Sequence, residues 1–157
     1  MYLLDTNIVS LFDPRRAGEA AAAIEWLRKH DSLLFVSTIT LTEIEAGILK
    51  LMRERKEARA RQIIGLRDGL IADFSKRLLP LSVEAALTVA RLAERVRPMT
   101  IERTDLIIAA TASVHGLVVL TRNLRHFEPT GVPTIDPVKS LPKSGQQTNQ
   151  NPGARST

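Results

Sequence analysis

Short apolar runs alternate along this chain with longer stretches whose apolar residues recur every three or four positions. Tyr2-Leu3-Leu4, ended by Asp5-Thr6-Asn7, is the first run. Leu33-Leu34-Phe35-Val36-Ser37 and Leu117-Val118-Val119-Leu120-Thr121 repeat the pattern. Continuous apolar runs of this length, bounded by turn residues, predict strands covered on both faces, as in a parallel sheet. Leu78-Leu79-Pro80-Leu81 and Val132-Pro133-Thr134-Ile135 predict two shorter edge strands, since proline has no ladder donor to offer.

Between these runs the apolar period lengthens to that of an amphipathic helix. Asn7 to Phe12 predicts a short helix, followed by a loop containing Pro14 and Gly18. Glu19 to His30 gathers Ala23, Ile24 and Leu27 on one face. Thr40-Leu41-Thr42-Glu43 has the spacing of a capping box and predicts the start of a helix running through Ile44, Ile48, Leu49 and Met52. Ala58 to Phe74 predicts another helix, interrupted by Gly65 and Gly69. Ser82 is the expected N-cap of Val83 to Arg95. Thr104 is that of a helix beginning at Asp105 and stopped by Gly116. Arg122 to Phe127 leaves the third long strand as a turn or a single helical turn.

Strands alternating with helices predict one α/β domain with a mostly parallel sheet. The 157 residues are enough for a single sizeable core. From about Lys139 the composition turns to Lys, Ser, Gly, Gln, Asn and Pro, which bury too little to offset ordering. Residues 1–138 are therefore the expected domain and 139–157 a polar tail, disordered from Ser144 onward. The absence of cysteine excludes disulfides, thiol catalysis and Cys-ligated zinc. Met1 leads straight into the first strand, and no apolar run approaches the roughly 20 residues of a membrane span. A soluble, cytoplasmic protein is expected. Twenty-two Lys and Arg against seventeen Asp and Glu give a net charge of +5, which favours polyanionic partners without identifying one.

Three acids occupy comparable places: Asp5 at a strand end, Glu43 in the first turn of one helix and Asp105 in the first turn of another. Asn123 follows a strong strand. In a parallel sheet, strand C-termini and the N-termini of the following helices lie along one edge, so the four side chains are expected to converge. Taken singly, Glu43 would complete the capping box, Asp105 would face its helix dipole, and Asn123 would form an Asx turn. Together they make an all-oxygen donor set suited to a hard divalent cation such as Mg²⁺. Such a cation supports phosphodiester hydrolysis by activating water and neutralising phosphoryl charge. Arg15, Arg16, Arg103, Arg122 and Arg125 are the basic residues placed to hold a nucleic-acid backbone.

The set Leu3-Leu4-Asp5-Thr6-Asn7, Thr42-Glu43-Ile44, Thr104-Asp105 and Leu120-Thr121-Arg122-Asn123 followed by His126-Phe127 resembles the PIN domain. Within that family it looks most like the VapC-type toxins of toxin–antitoxin pairs, including the FitB-like branch. The resemblance covers about residues 1–138. It implies a three-layer α/β/α fold with a central sheet of four to five strands, and a Mg²⁺- or Mn²⁺-dependent endoribonuclease whose acids match Asp5, Glu43 and Asp105. Asn123 matches the fourth site position, and Thr6 and Thr121 match supporting hydroxyls. It further implies an RNA substrate, a cognate antitoxin, and a homodimer or a higher toxin–antitoxin assembly.

One departure is His126, which stands where the family often has a second acid after the fourth strand; it adds no negative charge when neutral. This motivates a second reading, a PIN-like protein that binds nucleic acid or antitoxin without catalysis. A third, a phosphatase with Asp5 as nucleophile, lacks the second acid of an Asp-x-Asp motif, since Asn7 holds that place. Glu45 lies about 200° around the helix from Glu43 and is expected on the solvent side. Glu102 precedes the helix of Asp105 in a loop, and its spacing gives no firm reason to place it in the site.

Overall fold

A computed structural model describes residues 1–16 and 18–143. The stretch expected to be disordered, 144–157, lies outside the described residues. Among the described residues five strands, β1 (Tyr2–Leu4), β2 (Leu34–Ser37), β3 (Leu78–Leu79), β4 (Val118–Leu120) and β5 (Thr134–Ile135), form one sheet in the order β3-β2-β1-β4-β5. Every adjacent pair is parallel, so the sheet expected to be mostly parallel is wholly so among the described residues. Tyr2, Leu3 and Leu4 pair with Leu34, Phe35 and Val36 on one side and with Val118, Val119 and Leu120 on the other.

Among the described residues seven α-helices accompany the sheet: α1 (Thr6–Val9), α2 (Ala21–Lys29), α3 (Thr38–Arg53), α4 (Glu57–Asp73), α5 (Val83–Arg95), α6 (Arg103–His115) and α7 (Leu124–Phe127). Strand alternation sorts the core into two layers. Tyr2, Leu4, Leu34, Val36, Val118 and Leu120 pack with Ile8, Ile24, Leu27, Ile44, Ile48 and Leu70 from α1 to α4. Leu3, Phe35 and Val119 face the other way, onto Leu92, Leu106, Ile108, Ala109, Ala112 and Phe127. Both faces are thus covered, which explains why the strands read as unbroken apolar runs. No helix among the described residues is long and apolar enough to cross a membrane.

Two helix starts differ from expectation. Ser37, the last residue of β2, caps α3 by accepting from Ile39 N–H at 3.3 Å, so the helix begins at Thr38 and Thr40 is buried inside it. The Thr40 to Glu43 spacing is therefore no capping box, and Glu43 lies in the second turn with its carboxylate free for other partners. Thr104 likewise sits within α6, which starts at Arg103 after Glu102 and has no side-chain cap bond. Gly116 does stop α6, in the left-handed region at φ 62°, with Leu117 N–H donating to Ala112 carbonyl at 2.9 Å. Beyond β5, Pro142 is also buried.

Chain order places β1 in the middle: the chain moves outward to β2 and β3, then returns across β1 to β4 and β5. The reversal falls between β1 and β4, and a crevice opens beyond their carboxyl ends. Ile108, fully buried on α6 against the sheet, tests this packing. Ile108→Ala should cost about 2–5 kcal/mol by urea unfolding with an unchanged m-value. A loss under about 0.5 kcal/mol would contradict the placement of α6 in the core.

Candidate active site

Asp5 leaves β1 directly into α1 and serves as that helix's N-cap. It is 4% exposed, and its backbone N–H still belongs to the sheet, donating to the Leu120 carbonyl at 3.0 Å. Its Oδ1 accepts from Thr6 N–H at 2.7 Å. Its Oδ2 accepts from Asn7 Nδ2 at 2.6 Å and from the Thr121 hydroxyl at 2.7 Å. Thr121 is fully buried just past β4, and its oxygen in turn accepts from Asn123 N–H at 2.9 Å. Asn7 closes the ring: its Oδ1 accepts from Arg122 N–H at 3.0 Å. The β1 and β4 ends are thereby fastened around one carboxylate.

Glu43 reaches the same place from α3 and accepts from the Thr6 hydroxyl. Asp105, in the first turn of α6, meets His126 Nδ1 through Oδ2 at 2.7 Å. A cavity of about 300 Å³ collects Asp5, Thr6, Asn7, Ser10, Glu43, Glu102, Asp105, Asn123 and His126. Of two other cavities, one of about 390 Å³ is lined mostly by apolar side chains and one of about 510 Å³ mixes apolar residues with Arg16, Lys50, Lys56 and Arg59; neither gathers these convergent acids. Chemistry rather than volume selects the site.

The expected acids and Asn123 thus line one cavity, with Thr6 and Thr121 supporting them. Glu45 lies elsewhere, paired with Arg67 of α4. Of the five arginines, Arg16 and Arg122 come together on Glu19, and Arg125 Nε donates to Asn123 Oδ1 at 3.3 Å. Arg15 and Arg103 are exposed and form no ion pair among the described residues. Ser10 was not foreseen, although it lies four residues after Thr6 and so shares its side of the turn. Glu102 lines the cavity three residues before Asp105. Asn7, read only as a turn residue, is the hydrogen-bond hub between β1 and β4.

Burial dominates the electrostatics of the centre. It pushes the Asp5 carboxyl from an ordinary 3.8 up to about 6; the negative charges of Asp105 and Glu43 add to the rise, while hydrogen bonds from Thr121 and Thr6 oppose it. Among the described residues no group of three His, Asp or Glu side chains stands placed to hold a metal ion as it is. Each acid is instead held by a hydroxyl, amide or imidazole.

This geometry agrees with the comparisons to known proteins. A PIN-domain family model matches residues 2–131. The chain belongs to the PIN-domain family. As a PIN-domain chain it is 30% identical over 143 residues to toxin FitB of Neisseria gonorrhoeae, covering 87% of this chain and 98% of that one. It is 28% identical over 140 residues to the VapC ribonuclease Y4jK of Sinorhizobium fredii, covering 87% and 97%. Its fold matches the crystal structure of FitAcB from N. gonorrhoeae with a TM-score of 0.72 at 28% identity, over 87% of this chain and 98% of that one. The five-stranded sheet flanked by helices is the PIN-like α/β/α arrangement.

The raised carboxyl has a sign that can be measured. Between pH 3.8 and 6 the folded protein holds a proton on Asp5 that the unfolded chain has lost, so this residue's contribution to stability falls as pH rises. In chelator, the stability of Asp5→Asn relative to the wild type should therefore improve by up to about 3 kcal/mol across that window. A difference that does not change between pH 4 and pH 7 would contradict a buried, raised Asp5.

Proposed function

We propose that this chain is a Mg²⁺-dependent endoribonuclease and the toxin of a toxin–antitoxin pair. The observation that carries this reading is the meeting of Asp5, Glu43 and Asp105 in one cavity at the β1/β4 edge. Its support from relatives is a toxin, FitB, and a VapC ribonuclease, each matched along nearly its whole length. The catalytic unit is residues 1–138, and the working compartment is the cytoplasm.

The donor set fits a hard divalent cation. It is all oxygen, three acids converge, and Asp5 carries an ionisation cost that a cation would relieve. Mg²⁺ needs only one or two protein carboxylates and keeps several waters, so the lack of a preformed group of three ligands is compatible with it; Mn²⁺ would substitute. Asp5, Glu43 and Asp105 would hold the ion, with Asn123 completing the shell. When bound, the ion acidifies water and neutralises charge on the phosphodiester.

The chain's own side chains set the geometry for that chemistry. Thr121, Asn7 and the Thr6 N–H fix the Asp5 carboxylate, so little reorganisation is needed on binding. The Thr6 hydroxyl orients Glu43, and the His126 imidazole orients Asp105. His126 keeps its place in the site without being an acid, which favours a single cation. A cognate antitoxin is the partner this role requires. Exposed Leu81, Val83 and Leu87 supply apolar surface for a homodimer or a larger assembly.

Two measurements test the reading. Purified protein should cleave single-stranded RNA on addition of Mg²⁺ or Mn²⁺, and Asp5→Ala should lower cleavage at least about 100-fold while remaining folded. Retained cleavage by that variant would remove the assignment. Mg²⁺ should also raise the unfolding temperature of the wild type but not of Asp5→Ala, and less at pH 5 than at pH 7.5, because protons compete for the Asp5 carboxylate. A non-catalytic binding protein would show no RNA products.

A further inference from the structure

We propose that Arg16 and Arg122 form a phosphate clamp at the mouth of the acid cavity, and that Glu19 occupies it in the free protein as an internal substitute for phosphate. The proposal rests on the nuclease reading for the identity of the anion, RNA backbone phosphate.

Three cationic N–H groups meet one carboxylate oxygen. Arg16 Nε and Nη2 donate to Glu19 Oε2 at 3.1 and 2.8 Å, and Arg122 Nη1 lies 3.6 Å from the same atom. The two arginines are 106 residues apart in sequence, and it is the β1/β4 pairing that brings their segments together. Both are tied to the acid cavity. Arg16 Nη1 donates to the hydroxyl of Ser10, which lines that cavity, and the Arg122 backbone N–H is held by Asn7 Oδ1. A guanidinium pair focused on a single oxygen is the geometry that recognises a phosphate oxygen.

The way Glu19 is held makes it displaceable. Its side chain is 48% exposed, and Arg16 and Arg122 are 31% and 39% exposed, so these are solvent-screened pairs of little strength. The neighbouring Asp13–Arg59 pair differs in kind: Asp13 is 5% exposed, takes both guanidinium nitrogens of Arg59, and is held below the usual carboxylate range by that contact. Asp13–Arg59 is a permanent strut, whereas Glu19 is a screened ligand that a polyanion can replace. The cavity beside it, about 510 Å³, shares Thr6 and Ser10 with the acid cavity and continues past Arg16 to Lys50 and Lys56. Along it Arg16, Lys50, Lys56 and Arg59 outnumber Asp13 and Glu54, which pair with Arg59 and with the two lysines, so a strand leaving the acids through the clamp meets a wall of net positive charge.

The test uses the full chain in chelator, where metal-dependent cleavage does not proceed, and a fluorescent single-stranded RNA oligonucleotide, with affinity read by anisotropy. Glu19→Gln should tighten binding by about threefold to tenfold, because it frees both arginines. Arg16→Ala and Arg122→Ala should each weaken it. Together they should flatten the slope of log affinity against log salt by about 1.4, roughly 0.7 for each phosphate contact on a single strand. Circular dichroism and unfolding temperature verify that each variant is folded. Failure of Glu19→Gln to tighten binding, or of the arginine variants to weaken it, overturns the clamp; so does absence of binding by the wild type. Arginines that serve only a protein partner's carboxylates would give that negative result. Cleavage of RNA in Mg²⁺ is scored separately, so a failed nuclease reading with intact oligonucleotide binding is distinguishable from a failed clamp.

Discussion

Asp5 is a carboxylate buried at the end of the central strand, and the architecture around it follows from keeping it there. Burial raises its cost of ionisation, and two further acids facing the same cavity raise it again. The molecule answers with fixed neutral donors. Thr6 N–H, Asn7 Nδ2 and Thr121 Oγ1 take up the Asp5 oxygens, and two of those donors come from the first turn after β1 while the third follows β4. A hydrogen-bond set built this way holds only if β1 and β4 are adjacent, parallel and in register. The site and the sheet topology are thus one constraint.

The cost is placed where it is useful. A single neutral residue at this position would relieve the repulsion, so the retained acid marks a position shaped for charge rather than for stability. Asp105 gains from its place in the first turn of α6, where the helix end is positive, and from His126 across the cavity. Glu43 has no such helix end to lean on, being in the second turn of α3, and takes the Thr6 hydroxyl instead. The arrangement leaves three acids supported by hydroxyl, amide and imidazole groups and open to a cation, with arginines confined to the rim.

Much of this was legible in the sequence because the strands are short and apolar on both faces. Tyr2 to Leu4 and Val118 to Leu120 announce a two-sided sheet, and an acid directly after such a run points at its ligand edge. The helix starts were harder to read. Ser37, Thr38 and Thr40 are competing caps within four residues, and local propensity does not choose among them; Ser37 prevails because the strand delivers it in extended geometry at ψ 145°. At α6 no side chain caps the start at all: the helix begins one residue before Thr104, after Glu102 in extended geometry. The meeting of Arg16 and Arg122 on Glu19 was beyond sequence reasoning, since it depends on which strands become neighbours. The role of Asn7 was hidden for the same reason: its partners, Thr121 and the Arg122 N–H, lie more than a hundred residues away.

The central claim is that these acids gather around one divalent cation. The most direct measurement is an anomalous difference map from crystals of the full chain grown with Mn²⁺. It should show one peak in the cavity between β1 and β4, at about 2.0–2.2 Å from an Asp5 oxygen, with Glu43 and Asp105 ligating directly or through water. A peak bound by other residues, or none in this cavity at saturating Mn²⁺ and pH above 7, would contradict it.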